Sequence, residues 1–240
     1  MHNLNKGKLL TKGIASPKLA KDQTYTTYIL YLASAVYKAE LCPNAGDCKS
    51  FCLITKAGRG AIGGPDNAIQ KARKRKSDWY LTNPESFKAQ LVHEIQLAIR
   101  SANSKGEKLA IRLNGGSDLD WSDVYSQFPS VQFWEYTKRP DLAIKLNQLS
   151  NVHVTYSHNE RTTDRILGSI LSKGINIAMV FSTKKGKDLP ANHGSLKVVD
   201  GDQSDLRFLD GQGVIVGLRL KSLRKVSPSQ LQNQSFVSRI

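Results

Sequence analysis

The sequence predicts an α/β protein built as a (β/α) barrel or partial barrel, with a cysteine-bearing insertion after the first strand. Seven runs rich in Val, Ile, Tyr, Phe and Thr recur with helical patterns between them, which is the signature of βα units and a mainly parallel sheet. A chain of 240 residues with seven such runs falls near the low end for a complete eightfold barrel. An open doubly wound sheet is the second reading.

The strand-like runs span 24–33, 108–114, 131–137, 152–157, 175–182, 196–199 and 213–220. Between the first two lies a long insertion with all three cysteines, followed by a basic helix from about 66 to 80 and a second helix opening at Asn83-Pro84-Glu85. Asn83 suits the N-cap and Pro84 the first helical position, and Phe87, Leu91, Ile95 and Ala98 or Ile99 then form one apolar stripe. Later crossovers are shorter. Leu142, Leu146 and Leu149 follow Pro140, and Ile166, Ile170 and Leu171 precede a stop at Gly174.

Composition narrows the class. With 40% hydrophobic and 23% charged residues, apolar positions recur often enough to bury a core, so dominant disorder and a disulfide miniprotein are excluded. One domain over 24–226 is expected, with loosely held ends at 1–23 and 227–240. The longest nearly apolar stretch, from Tyr28 to Tyr37, is about half the ~20 residues needed to span a bilayer. No leader pattern opens the chain, so a cytoplasmic protein without a membrane partner is expected.

Thirty-five Lys and Arg against 20 Asp and Glu give a net charge of +15, and the pI is near 9.8. Such a balance points to a polyanion, nucleic acid first, as partner. Between Lys56 and Lys76, Asp66 is the single acid among seven cations. Arg59, Lys71, Arg73, Lys74, Arg75 and Lys76 are the candidate phosphate contacts.

In this fold class function gathers at the carboxyl ends of strands, and there the sequence is polar: Asn114-Gly-Gly-Ser117-Asp118, Glu135-Tyr136-Thr137-Lys138-Arg139, Ser157-His158-Asn159-Glu160-Arg161, Ser182-Thr183-Lys184-Lys185, and Asp200-Gly-Asp202 with Asp205 and Arg207 behind. One such segment is an ordinary solvated loop. Five on one rim make a site. Asp118, Asp202 and Lys138 are the catalytic candidates, and Asn114, Ser157, Lys184 and Arg207 the candidates for binding a cofactor.

Cys42, Cys48 and Cys52 lie in Cys42-Pro-Asn-Ala-Gly-Asp-Cys48-Lys-Ser-Phe-Cys52. An odd number of clustered thiols suits a metal or iron–sulfur cluster better than a disulfide framework. Zinc is the rival; it needs a fourth ligand, to be drawn from His2, His93, His153, His158 and His193, of which His158 is best placed. Gly58-Arg-Gly60-Ala-Ile-Gly63 matches G-x-G-x-x-G formally but follows no strand, so it reads as a turn into the basic helix. Asp200, Asp202 and Asp205 resemble a hard-cation cluster without the rest of a calcium loop.

The spacing C-x5-C-x3-C after the first strand resembles the three-cysteine loop of radical S-adenosylmethionine enzymes, whose commonest spacing is C-x3-C-x2-C. That resemblance implies a [4Fe–4S] cluster on three cysteines with S-adenosylmethionine as cosubstrate. From about Thr27 to Lys221 the chain also resembles the phage gene product 88 family. The likeness rests on Cys42-Pro, Cys48, Cys52-Leu53, Ala57-Gly-Arg-Gly60, Arg112-Leu-Asn114 with Ser117-Asp118 and Trp121, Tyr136-Thr137-Lys138, Val180-Phe181 with Thr183-Lys184-Lys185, and Asp200-Gly-Asp202 with Asp205-Leu-Arg207-Phe-Leu-Asp210. Gly115-Gly116 stands where the family pattern has Gly-Thr. The resemblance implies a phage or prophage origin, hence the host cytoplasm, and no particular reaction.

Three functions compete at this level. The first is a radical S-adenosylmethionine-like iron–sulfur enzyme acting on nucleic acid or a nucleotide-derived substrate. Second is a non-catalytic nucleic-acid-binding protein with a structural zinc or cluster. The third is a zinc-stapled barrel that modifies bases with Asp118 or Asp202 as nucleophile or base.

Overall fold

The structure is a computed structural model that describes residues 7–16, 18–20, 24–221, 227, 230 and 236–238, except for the side chains of 58 and 59. Its strands are β1 (Leu10–Lys12), β2 (Tyr25–Leu30), β3 (Lys108–Arg112), β4 (Gln132–Thr137), β5 (Val152–Ser157), β6 (Asn176–Phe181), β7 (Asn192–His193), β8 (Leu196–Asp200), β9 (Ile215–Arg219) and β10 (Val237–Ser238). The helices are α1 (Leu53–Lys56), α2 (Ala68–Thr82), α3 (Pro84–Asn103), α4 (Ser122–Tyr125), α5 (Pro140–Leu146) and α6 (Asp164–Leu171). All seven strand-like runs form strands, each within a few residues of the expected bounds.

The sheet runs β1-β2-β3-β4-β5-β6-β9-β8-β7, with β10 added to β6. Its pairings are parallel except at the two ends, β1 on β2 and β7 on β8. Among the described residues the two ends do not pair with each other, so the expected barrel is corrected to an open sheet. Both ends are capped by antiparallel strands of only three and two residues, which are short edges of the kind that leave little ladder to extend.

From β2 to β6 each strand lies beside its predecessor, and right-handed crossovers then put every connecting helix on one face. Strand alternation agrees. Leu30, Ile111, Phe133, Val154 and Ile177 share the main core with Phe87, Leu91 and Ile95 of α3, Leu142 and Leu146 of α5, and Ile170 of α6. Helix α3 begins as its sequence dictates, with Asn83 accepting from the Ser86 N–H at 3.0 Å and Pro84 in the first turn.

At β9 the direction reverses, because that strand is inserted between β6 and β8. The same handedness rule now sends the β8–β9 connection across the face opposite the helices. There Leu206 packs with Leu19, Ile29, Ala110 and Trp134, and Phe208 meets Tyr25 and Trp134 edge-on at 5.0 and 6.0 Å. Two ion pairs accompany it: Arg112 to Asp205 at 3.1 Å and the buried Arg207 to Asp210 at 3.3 Å. Arg112 also stacks over Tyr136 at 4.7 Å. In a closed barrel this face would be the interior, packed by strand side chains alone, whereas here residues of the β8–β9 connection cover it.

Within the stretch expected to be a loose end, Leu9 and Leu10 are buried, and their N–H groups donate to the Glu94 carboxylate at 2.8 to 3.1 Å. The expectation for residues 1–6, including His2, lies outside the described residues, as does most of the expected tail.

His153 lies on the covered face beside Arg207, and burial, with Arg207 adding to it, pushes its pKa down to about 4. The folded state therefore holds it neutral. Its contribution is full above the ordinary value near 6.5 and is lost as pH falls towards 4, a loss of order 3 kcal/mol. Urea unfolding across this window should show the loss in the wild type and a shallower decline in His153→Gln. Identical pH profiles would contradict a neutral, buried imidazole.

Candidate functional site at the carboxyl ends of the strands

The β3–β4 ladder is short: Ala110 pairs with Gln132 and Ile111 with Phe133, and then the strands part. The amides left over at Leu113 and Asn114 donate to the Glu135 carboxylate at 2.7 and 3.1 Å, which also accepts from the Tyr125 hydroxyl at 2.6 Å. Glu135 is fully buried, and burial pushes its carboxyl up to about 7 against the opposing pull of Arg112 and these donors. On the other side Gly115 donates to the Leu30 carbonyl at 3.0 Å. A Cβ at Gly115 would stand 2.8 Å from that carbonyl, and one at Gly116 2.7 Å from the Leu32 carbonyl. Only glycine lets these two backbones approach so closely.

Asn114 shapes the loop that follows. Its Oδ1 accepts from Ser117 Oγ at 2.9 Å, Leu119 N at 3.0 Å and Trp121 Nε1 at 3.2 Å, and its Nδ2 donates to the Leu119 carbonyl at 2.9 Å. This fold turns Asp118 back so that its N–H donates to the Leu41 carbonyl at 2.8 Å, one residue before Cys42. Asp118 Oδ2 accepts from the Lys138 N–H at 3.0 Å, while its buried Oδ1 has no partner.

The cysteine segment between β2 and α2 is clasped onto this end of the sheet. Cys42 Sγ approaches the Gly116 carbonyl at 3.6 Å, and Asn44 Nδ2 donates to the Lys138 carbonyl at 3.4 Å. Glu160, beyond β5, accepts from the Asp47 N–H at 3.2 Å. Gly46 has a φ of +49°, and a Cβ there would overlap Glu160 Oε1 at 1.7 Å, so the clasp needs glycine twice over, for conformation and for space.

All three cysteines are free. Cys42 is pushed up to about 12, first by burial and then by the nearby charges of Asp118 and Cys52, while Lys138 opposes the shift. Burial also raises Cys48, and Lys138, which hydrogen-bonds it, opposes that shift as well. The thiols thus share one electrostatic neighbourhood with Lys138 inside it. Among the described residues no group of three or more His, Cys, Asp or Glu is placed to hold a single metal ion.

Of the residues singled out from sequence, Cys42, Cys48, Cys52, Asp118 and Lys138 come together. Others do not. Asn114 spends its side chain within its own loop, Arg207 is inside the covered face, and Lys184 is exposed beyond β6. Ser157 is half-buried at the end of β5. Asp202 sits away from Asp118, paired with Lys18 at 3.0 Å and Arg219 at 3.4 Å. Asp200 pairs with Arg219 at 2.8 Å and Asp205 with Arg112, so these acids are held by cations of the chain rather than gathered as a cation site.

Two cations of the basic helix turn inward and a third is held in a surface ion pair. Arg73 donates to the Ile54 carbonyl at 2.8 Å, Lys74 pairs with Asp66 at 2.7 Å, and Lys76 donates to the Leu9 carbonyl at 3.1 Å, with burial lowering its pKa to about 8. Lys71 and Arg75 remain exposed, and the Arg59 side chain lies outside the described residues. Sequence reading missed Glu135 and Glu160 as organisers. Glu135 was detectable as the one acid inside an apolar strand run. Glu160 was hidden in a polar loop. At the same end of the sheet Glu160 Oε2, His158 Nδ1 and Thr183 Oγ1 are buried without a partner.

These features define a mostly parallel, open α/β protein with a thiol-bearing polar mouth at the carboxyl ends of its strands. The chain belongs to the gene product 88 family, a family of phage proteins, which matches residues 4–237. No curated protein and no solved structure matches it. Among the described residues no helix is long and apolar enough to cross a membrane.

Asn114 and Asp118 should separate in a stability measurement. Asn114→Ala strands three buried donors and should cost about 2–4 kcal/mol in urea unfolding. Asp118→Asn keeps the acceptor for Lys138 and removes a buried, half-partnered charge, so it should change stability by less than about 1 kcal/mol. An equal, large loss in both would make Asp118 part of the scaffold.

Proposed function

We propose that this chain is an iron–sulfur enzyme of the radical S-adenosylmethionine type, with its centre at the carboxyl mouth of the sheet. The observation that carries the reading is the convergence of three free cysteines, Asp118 and Lys138 at the end of the sheet where α/β proteins place their chemistry.

The donor set fits a cluster better than a single ion. Zinc needs four ligands around one centre, about 2.0–2.3 Å from each, and no such group stands among the described residues. His93 lies on α3 and His153 on the covered face, away from the thiols, which leaves His158, at the carboxyl end with Nδ1 unpartnered, as the histidine a zinc site would have to recruit. In a cluster each thiolate takes its own iron, so three cysteines in one neighbourhood suffice.

When bound, a [4Fe–4S] cluster on Cys42, Cys48 and Cys52 would supply one-electron reduction of S-adenosylmethionine at an iron without a cysteine ligand. The remaining roles belong to the chain. Lys138 places a positive charge beside the thiolates and offsets their mutual repulsion. Asp118 Oδ1 and Glu160 Oε2 are free to accept hydrogen bonds from the N–H and O–H groups of a ligand, and Thr183 Oγ1 is free to bond its polar atoms. The Glu160 clasp holds the cysteine segment over the strand ends.

Purified without oxygen, the protein should be brown and carry roughly four irons and four sulfides per chain, both lost in Cys48→Ala. A colourless protein with one zinc per chain would overturn the assignment and leave a zinc-stapled module in its place.

A further inference from the structure

We propose that the mouth receives a nucleic-acid strand, and that its phosphates are held by the cations of the surrounding loops, Lys184, Lys185 and Lys187 after β6, Arg161 after β5 and Lys49 on the cysteine segment, rather than by the basic helix α2. This rests on the placement of the functional site at the carboxyl mouth and names the class of its substrate.

Because β5 and β6 are parallel, the loops after them project from the same end of the sheet. The cysteine segment joins them there through Glu160 and Asp47. Lys184, Lys185 and Lys187 are exposed and, among the described residues, make no ion pair; the Lys187 N–H donates to the Lys184 carbonyl at 3.2 Å, so they sit on a turn. Lys49 is exposed, and Arg161 stands 4.0 Å from Glu160 with its side chain two-thirds accessible. In α2, by contrast, Arg73, Lys74 and Lys76 are already engaged with carbonyls or Asp66. A cation spent on the chain's own backbone releases no counterions from a partner.

The occupant follows from what accompanies the charge. A membrane surface would call for apolar anchors among the lysines; no exposed large hydrophobic residue lies between 160 and 200, where four of the five cations stand, and the cysteine segment around Lys49 adds Leu53 as its one such residue between 42 and 56. Cations on three separate loops match a run of phosphates better than the single group of a mononucleotide. Since they read backbone rather than bases, binding is expected to tolerate sequence.

The experiment is fluorescence anisotropy of the full chain with a labelled single strand of about 20 nucleotides, as DNA and as RNA, over about 50–200 mM salt. Combining Lys184→Gln, Lys185→Gln and Lys187→Gln should weaken binding at least about tenfold and flatten the log–log salt slope by about 2, three contacts at roughly 0.7 each. Lys71→Gln with Arg75→Gln should leave both unchanged. An unaltered slope in the loop variant, a loss confined to the α2 variant, or equal competition by polyglutamate would overturn the proposal. Thermal melting of each variant checks that it is folded. Binding is read with and without iron, so failure of the strand to bind is distinct from failure of the protein to carry a cluster.

Discussion

The architecture depends on the parting of β3 from β4 beyond Ile111 and Phe133. Had the two strands stayed paired, Leu113 and Asn114 would have continued the sheet and no loop would return to meet the cysteine segment. The Glu135 carboxylate makes the parting tolerable by accepting the amides that a β4 carbonyl would otherwise take. Unpaired and buried, those amides would each cost about 1–3 kcal/mol. The carboxylate is itself held by Tyr125 and sits close to Arg112, so a buried charge is surrounded by donors instead of standing alone. From this one substitution of side chain for ladder follow the Asn114 loop, the turn of Asp118 towards Leu41 and the position of Cys42.

A second consequence concerns charge. The reversal of strand order at β9 carries Asp205, Arg207 and Asp210 across the face opposite the helices, where they pair with Arg112 and with each other. These buried pairs consume conspicuous polar residues of the chain in filling that face. At the carboxyl end, Asp118 Oδ1, Glu160 Oε2, His158 Nδ1 and Thr183 Oγ1 are buried without a partner, as are Arg112 Nε, His153 Nε2 and Arg207 Nε on the covered face.

Much of the fold was legible in the sequence, because the seven strands and the major helices are local patterns. Asn83-Pro84 opens α3 by the same capping bond that its residue types imply. The edge strand β1 was not legible, since it is three residues long and set by its pairing with β2, with its leading amides held by the distant Glu94. Nor was the closure of the sheet, which is set by the reversal at β9 and not by strand count. In the site, the sequence singled out the three cysteines as one loop and Asp118 and Lys138 as strand-end residues, and the structure sets them in one neighbourhood. Asp202 was misplaced because its partners, Lys18 and Arg219, are distant in sequence. In the basic helix, Arg73 and Lys76 reach back to the carbonyls of Ile54 and Leu9, and composition does not reveal which way such long side chains turn.

The central claim, that Cys42, Cys48 and Cys52 form one iron-bearing centre over the ends of β3, β4 and β5, is tested most directly by anomalous X-ray scattering at the iron edge from crystals grown without oxygen. The account predicts a single strong iron peak at the carboxyl mouth, in bonding contact with all three sulfurs and with no fourth protein ligand. A peak at the zinc edge completed by a histidine, or three sulfurs with no metal between them, would contradict it.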